Sequence, residues 1–301
     1  MIVADLTPRD LQARLKEGLY LRTGPVVSCI RSHSPQLANG IALHYAEHRI
    51  ESGFADFHVR IDRPDNLRRW FRPQVLFHFD DTPAFHPLPA DQAFPMLEWG
   101  LNWCVSNHCH QYLIIHAAVL ERDGKALLLP APPGSGKSTL CAGLAHRGWR
   151  LLSDELALIA PASGHVVPLP RPVSLKNRSI DILKRFAPEA AFSPTVKDTI
   201  KGAVAHMRAP RAALARADET AAPGWIVLPK YADGADLKLQ PLTRARGMMA
   251  LIENAFNFDL HGQRGFDALG RFTDACRCYS LEYGSLEDAI AACEALATAD
   301  A

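Results

Sequence analysis

The chain has 301 residues, a length that suits about two domains at roughly 100–200 residues each. Its 33 basic and 32 acidic residues leave a net charge of +1, which excludes the broad basic surface that nucleic acid or an anionic membrane needs. With 48% hydrophobic and 22% charged residues, the composition is globular and excludes disordered, collagen-like and coiled-coil classes.

Thr7 reads as a helix N-cap, followed by Pro8 at the first helical position and Asp10 in the first turn. Met1–Asp10 lacks the basic start and apolar run of a signal peptide. There is no run of 18 uncharged apolar residues, so no membrane span is expected. Seven scattered cysteines, an odd number, fit reduced thiols and a cytoplasmic location better than a disulfide framework.

Short strands are predicted at 57–61, where polar and apolar residues alternate, and at 74–79. Turn signals surround them at 63–66 and 80–83. A proline-rich stretch with Pro83, Pro87, Pro89 and Pro95 passes into a helix expected over 96–105. Trp99 and Trp103 share one face of that helix with Met96 and Gly100, as a core or interdomain seam would. The domain boundary falls near this helix, giving a smaller mixed α/β domain over 1–108 and a second over 109–301.

From Tyr112 the texture changes. The apolar run 113–120 meets a hairpin signal at Glu121-Arg122-Asp123-Gly124, then Ala126-Leu127-Leu128-Leu129, a strand expected to be buried on both faces. A helix over 138–147 follows, with Gly148 as its left-handed cap and a strand over 149–153. Strand, loop, helix and strand make one βαβ unit, so a mixed or parallel sheet with flanking helices is expected. A strand at 225–229 and helices at 243–254 and 286–297 complete the regular elements. Residues 160–222 show poor periodicity and read as a long irregular lid or binding loop.

The strongest chemical signal lies between that strand and helix. Ala131-Pro132-Pro133-Gly134-Ser135-Gly136-Lys137-Ser138-Thr139 matches the phosphate-loop pattern at Gly136, Lys137 and Ser138, with Ala131 where the first glycine is usual. Over the loop Pro133–Thr139, successive backbone N–H groups from Gly134 onward and the helix N-terminus form an anion nest; Lys137 adds a point charge and Ser138 a hydroxyl for Mg²⁺. Such a loop predicts nucleotide binding and no particular reaction. Asp154-Glu155, at the end of the next strand, supplies the discriminating pair: one carboxylate can hold a metal while the other accepts a proton. His116, in the preceding apolar run, is either a hydrogen-bonded core histidine or a group that orients phosphate or the acid pair.

These phrases carry a resemblance. His116-Ala117-Ala118-Val119, the phosphate loop and Arg147–Glu155 resemble the catalytic domain of bacterial HPr kinase/phosphorylase. Glu98-Trp99-Gly100-Leu101-Asn102-Trp103, Arg171–Asn177, Lys201-Gly202 and Asn254–Phe258 extend it, nearly end to end, to the subfamily called HprK-related kinase A. The resemblance implies the P-loop kinase fold of the HPr kinase/PEP carboxykinase-like type. It also implies ATP- and Mg²⁺-dependent phosphorylation of a serine-type hydroxyl on a peptide or small protein, such as a peptide-chaperone-like protein encoded nearby. Position by position it makes Lys137 the phosphate-holding cation, Ser138 and Glu155 the metal ligands, Asp154 the base, and His116 the histidine before the loop. Two departures are visible: Glu155 replaces the second aspartate, and the Glu-x-Arg-Gly-Leu-Gly signature of the phosphorylase reaction is absent.

Arg171 and Lys201 are the leading phosphate or acceptor cations among Arg171, Lys176, Lys197, Lys201, Arg208 and Lys230, because they sit inside those phrases. Cys104, His108, Cys109 and His110 lack the spacing of a structural zinc site, as do Cys276 and Cys278. Asn254 and Asn257 read as turn-capping amides or as contacts to nucleotide or acceptor. The readings that compete with a kinase are a nucleotide-gated binding or regulatory NTPase and a small-molecule kinase. No nucleic acid or membrane partner is expected, and a homo-oligomer is compatible with the sequence.

Overall fold

Polar/apolar alternation builds the first sheet. In the computed structural model, which describes residues 1–299 apart from the Arg69 side chain, Phe57, Val59 and Ile61 are buried while His58 is exposed. The last two residues of the 109–301 span lie outside the described residues. Helix α1 (Pro8–Glu17) opens as expected, with Thr7 Oγ1 accepting the Asp10 N–H, and α2 (Pro35–His44) repeats the device at Ser34. Strands β1 (Leu19–Thr23) and β2 (Val26–Arg31) pair antiparallel; after α2, β3 (Phe57–Asp62) joins β2 in parallel. Beyond it β4 (Gln74–Phe79) runs antiparallel, edged by β5 (Thr82–Pro83) and β6 (Leu88–Pro89). Helix α3 (Ala93–His108) packs its apolar residues on this sheet and tolerates Pro95 because the first turn needs no N–H donor there.

The second sheet begins with β7 (Leu113–Arg122) and β8 (Lys125–Pro130), joined by a turn in which Asp123 and Gly124 adopt φ of 51° and 80°. The expected apolar runs are buried on both faces. Leu113, Ile115, Ala117 and Val119 enter one core; Ala118 and Leu120 enter another. After α4 (Lys137–Ala145) the chain returns as β9 (Arg150–Ser153) and β10 (Leu156–Ile159), both antiparallel to β7 along one edge. Two-residue β11 (Val166–Val167) closes that side.

Residues 160–222 are not the irregular loop expected. They hold β12 (Val173–Lys176), α5 (Arg178–Phe186), β13 (Val196–Thr199), β14 (Gly202–Met207) and α6 (Arg211–Ala215), with the strands in a separate antiparallel sheet ordered β12-β14-β13. Strands of four to six residues are too short to show a period between prolines and turns. On the far side of β8, β15 (Ala222–Tyr231) and β17 (Arg277–Tyr283) add in parallel, and β16 (Lys238–Leu242) forms an antiparallel edge. The sheet is mixed, ordered β11-β10-β7-β8-β15-β17-β16. The βαβ strands β8 and β9 therefore share a direction but have β7 between them. Helices α7 (Arg244–Glu253) and α8 (Phe258–Asp274) cover one face; α4 and α9 (Leu286–Thr298) cover the other.

The chain is thus an α/β protein. Ile114, Leu156, Leu158 and Leu169 from the second half pack into the core of the first sheet, so the two halves meet along the β7–β10 edge. Among the described residues no helix is long and apolar enough to cross a membrane.

Candidate functional site

The loop between β8 and α4 is shaped by two glycines with φ of 87°, Gly134 and Gly136. A Cβ on Gly136 would fall 2.3 Å from Tyr283 Oη and 2.9 Å from Tyr231 Cβ, so only glycine fits. Ala131 stays outside the left-handed region, which removes the need for glycine there. The Tyr231 N–H donates to Ser135 O at 2.9 Å and Tyr283 Oη donates to Gly136 O at 3.2 Å. The ends of β15 and β17 thereby pin the loop, while Pro132, Pro133 and Gly134 remain exposed. Ser138 and Thr139 stand half-buried in the first turn of α4.

Lys137 is buried. Its Nζ donates to Ala131 O at 3.1 Å and to His116 Nε2 at 2.9 Å. Burial lowers the Lys137 pKa against the pull of Asp154 and Glu155. Burial and then the Lys137 charge push His116 down to about 4, so a neutral imidazole can accept this hydrogen bond.

Asp154 and Glu155 occupy the break between β9 and β10. Asp154 Oδ2 accepts the Ser174 N–H at 3.0 Å, with the Ser138 hydroxyl also beside the carboxylate. Its Oδ1 is buried without a partner. Burial, then the Glu155 charge, raises Asp154 to about 6. Glu155 Oε2 accepts from Asn102 Nδ2 at 2.8 Å, and its Oε1 has Lys176 Nζ at 3.9 Å. Burial pushes Glu155 up, but Lys176, Lys201, His116 and Arg171 outweigh it and hold the group below its ordinary value. The Arg171 guanidinium donates through Nη2 to Asn102 Oδ1, leaving Nη1 buried without a partner. Lys201 Nζ lies 5.0 Å from the centre of the Trp99 ring. Glu98, Trp99 and Asn102 face Asp154, Glu155 and Arg171 across a cavity of about 10 Å³, room for about one water.

The structure therefore gathers His116, Lys137, Ser138, Asp154, Glu155, Arg171 and Lys201 in one place, with Lys176 among them. The other cations lie elsewhere: Lys197 is exposed, Lys230 pairs with Glu282 at 3.0 Å on the surface, and Arg208 lies near His44. Asn102 and Ser174 had no sequence-based assignment. Glu98 and Asn102, four apart on α3, were the available signal, since that spacing puts two polar groups on one face of a buried helix. The tryptophans part company: Trp103 stays in the first core against Phe79 and Phe85, whereas Trp99 lines the acid cavity. Asn257 caps the start of β7, donating to Tyr112 O and accepting the Ile114 N–H, and Asn254 donates to Ala250 O. Cys104 and Cys109 are buried free thiols, as are Cys276 and Cys278, and His108 stacks on Phe79.

The donor set suits a hard divalent cation: the Ser138 hydroxyl, the orphaned Asp154 Oδ1, and a Glu155 Oε1 whose nearest cation stands beyond hydrogen-bond distance. The glycine loop with Lys137 behind it suits a polyphosphate.

A family model described as SynChlorMet cassette protein ScmC matches residues 92–182. That span runs from the start of α3 to within α5. It contains Asn102, His116, the phosphate loop, the acid pair, Arg171 and Lys176, but not Lys201. No curated protein matches the chain.

Proposed function

We propose that the protein is a Mg-ATP-dependent kinase that phosphorylates a serine-type hydroxyl on a peptide or small protein. The observation that carries this reading is the placement of a buried carboxylate oxygen without a partner, Asp154 Oδ1, beside the Lys137–Ser138 end of a phosphate loop. The P-loop kinase fold of the HPr kinase-like type belongs to the same proposal, supported by the β8–loop–α4–β9 arrangement and the motif phrases.

In this reading the loop amides and Lys137 would hold the phosphates, and Ser138 and Glu155 would hold the metal. Bound Mg-ATP supplies the transferable phosphoryl group. Asp154 Oδ1 accepts the proton of the incoming hydroxyl, and the neutral His116 keeps Lys137 aligned behind the loop. Arg171 and Lys201 offset the negative charge of the transferring group, a contribution of the kind that arginine fingers make. Glu155 stays anionic because Asn102, Lys176 and Lys201 surround it. With the Glu-x-Arg-Gly-Leu-Gly signature absent, reversal by phosphorolysis is not part of the proposal.

The test is incubation of the protein with γ-labelled ATP and the proteins encoded beside it. Label on a partner supports the kinase. Free phosphate alone would replace it with an NTPase, and the absence of both with a nucleotide-gated binder.

A further inference from the structure

Three of the most exposed large apolar side chains crowd into one turn: Leu67, Trp70 and Phe71 are 80%, 74% and 70% exposed. The same stretch, 63–72, carries Arg63, Arg68, Arg69 and Arg72 against a single acid, Asp65. Among the described residues neither Arg68 nor Arg72 is ion-paired, and the Arg72 guanidinium sits 5.8 Å from the centre of the Phe71 ring. Beside the turn lies a groove of about 510 Å³ lined by Gln36, Arg68, Arg72, Gln74, Pro89 and Asp91. Exposed apolar groups beside the two cations Arg68 and Arg72 mark a recognition surface for an anionic, partly apolar ligand.

The groove is tied to the acid site. Asp91 belongs to the 3-10 turn Ala90–Gln92, which leads directly into α3. Gln92 Nε2 donates to Asp198 O on β13, three residues before Lys201, in a long hydrogen bond of 3.5 Å. Trp99 stands six residues beyond Ala93 on α3, about 9 Å along the axis at ~1.5 Å per residue. Ile200, next to Lys201 in the chain, is 82% exposed. An extended peptide covers that 9 Å with about three residues at ~3.3 Å each.

We propose, resting on the kinase reading above, that this groove and the turn beside it dock an acidic segment of the acceptor: Arg68 and Arg72 in the groove meet its acids, and the exposed Leu67, Trp70 and Phe71 of the turn meet one apolar residue. Arg68 and Arg72 line a concavity, with Asp91 as its one acid, and an extended chain fills a concavity where a flat lipid surface does not. The turn is thus the specificity element of the first half of the chain.

The test uses the full chain and fluorescein-labelled decapeptides of two kinds. One is rich in Asp and Glu with a central Phe; the other has Lys in place of the acids. Anisotropy is measured without nucleotide, and anionic vesicles of phosphatidylglycerol are run in parallel. The acidic peptide is expected to bind, the basic one not. Arg68→Glu/Arg72→Glu and, separately, Trp70→Ala should weaken binding at least about tenfold, the loss expected for one charge-assisted contact. ATP affinity by calorimetry should stay unchanged in both variants. Equal binding of both peptides, full binding by the charge-reversed variant, or capture by vesicles alone would overturn the proposal. ATP titration of the unmodified chain tests the kinase reading separately, so failure of that titration with intact peptide binding counts against that reading and not against the groove.

Discussion

Asn102 on α3 donates to Glu155 Oε2 at 2.8 Å, across 53 residues of sequence. Its Oδ1 accepts from Arg171, so one amide faces a cation on one side and an anion on the other. The relationship makes the first half of the chain part of the acid site rather than an appendage to it. Replacing Asn102 by Ala removes both bonds and leaves Arg171 with two unsatisfied nitrogens. A charge-assisted hydrogen bond is worth about 1.5–3 kcal/mol. Phosphotransfer by Asn102→Ala should therefore fall about 10–100-fold in kcat, with ATP affinity by calorimetry changed less than about twofold. An equal loss in ATP affinity would place Asn102 with the nucleotide instead.

Lys137 is held by a carbonyl and a neutral imidazole, neither of which neutralises it. Lys137→Ala should weaken ATP binding about 10–100-fold, the worth of one charged contact to phosphate, without lowering Tm. Isothermal titration and a thermal melt check the two halves of this expectation. Unchanged affinity would remove the nucleotide-binding reading altogether.

The two loop glycines should differ. Gly134 and Gly136 share the same φ, but a methyl at Gly134 meets open space while one at Gly136 strikes Tyr283 and Tyr231. Gly134→Ala should cost about 1 kcal/mol of stability, the left-handed strain alone. Gly136→Ala should cost about 2–3 kcal/mol more, because the aromatic pins of the loop must shift. Chemical denaturation of both variants measures the difference; equal losses would show that Tyr283 and Tyr231 do not confine the loop.

Acid should destabilise the fold through its buried histidines, two of which lie in the first half. His44 and His48 are buried and neutral, each brought to about 4 chiefly by burial, with cations adding to it. In the unfolded chain they titrate near 6.5, so between about 6.5 and 4 the unfolded state binds more protons. Stability is thus fully present above about pH 6.5 and is lost as pH falls towards 4, by up to about 3 kcal/mol for each histidine. His44→Leu keeps an apolar contact with Phe94 and should flatten part of this slope in a series of melts from pH 7 to pH 4. A slope identical to that of the unmodified protein would exclude His44 as a source.

The β7–β8–α4–β9 unit was legible because its strands are apolar on both faces and its turns carry Asp123-Gly124, Gly136 and Gly148, each in a backbone conformation that its residue type announces. The acid pair could be read from position alone. Residues 160–222 could not, since β12, β13 and β14 are short and their pairing partners are brought together only by the folded chain. The contacts that Asn102 and Trp99 make at the acid site stayed hidden for a related reason, although Trp99 itself read as a core or interdomain-seam residue. Buried helix α3 is apolar around most of its circumference, so a polar face is masked, and what Asn102 touches lies on another element. The intervening position of β7 between β8 and β9 also leaves no trace in a local pattern, because chain order does not fix spatial order in a sheet.

Asp154 and Glu155 sit where a strand paired along β7 is interrupted, and the interruption sets a count. Leu156 and Leu158 enter the core of the first sheet, while Ala157 and Ile159 enter the opposite one. Removing or adding one residue at the break would exchange these two sets, burying each in a cavity shaped for the other. The chain can therefore change its acids by substitution but not its spacing by insertion or deletion, so any viable descendant must carry two residues between Ser153 and Leu156.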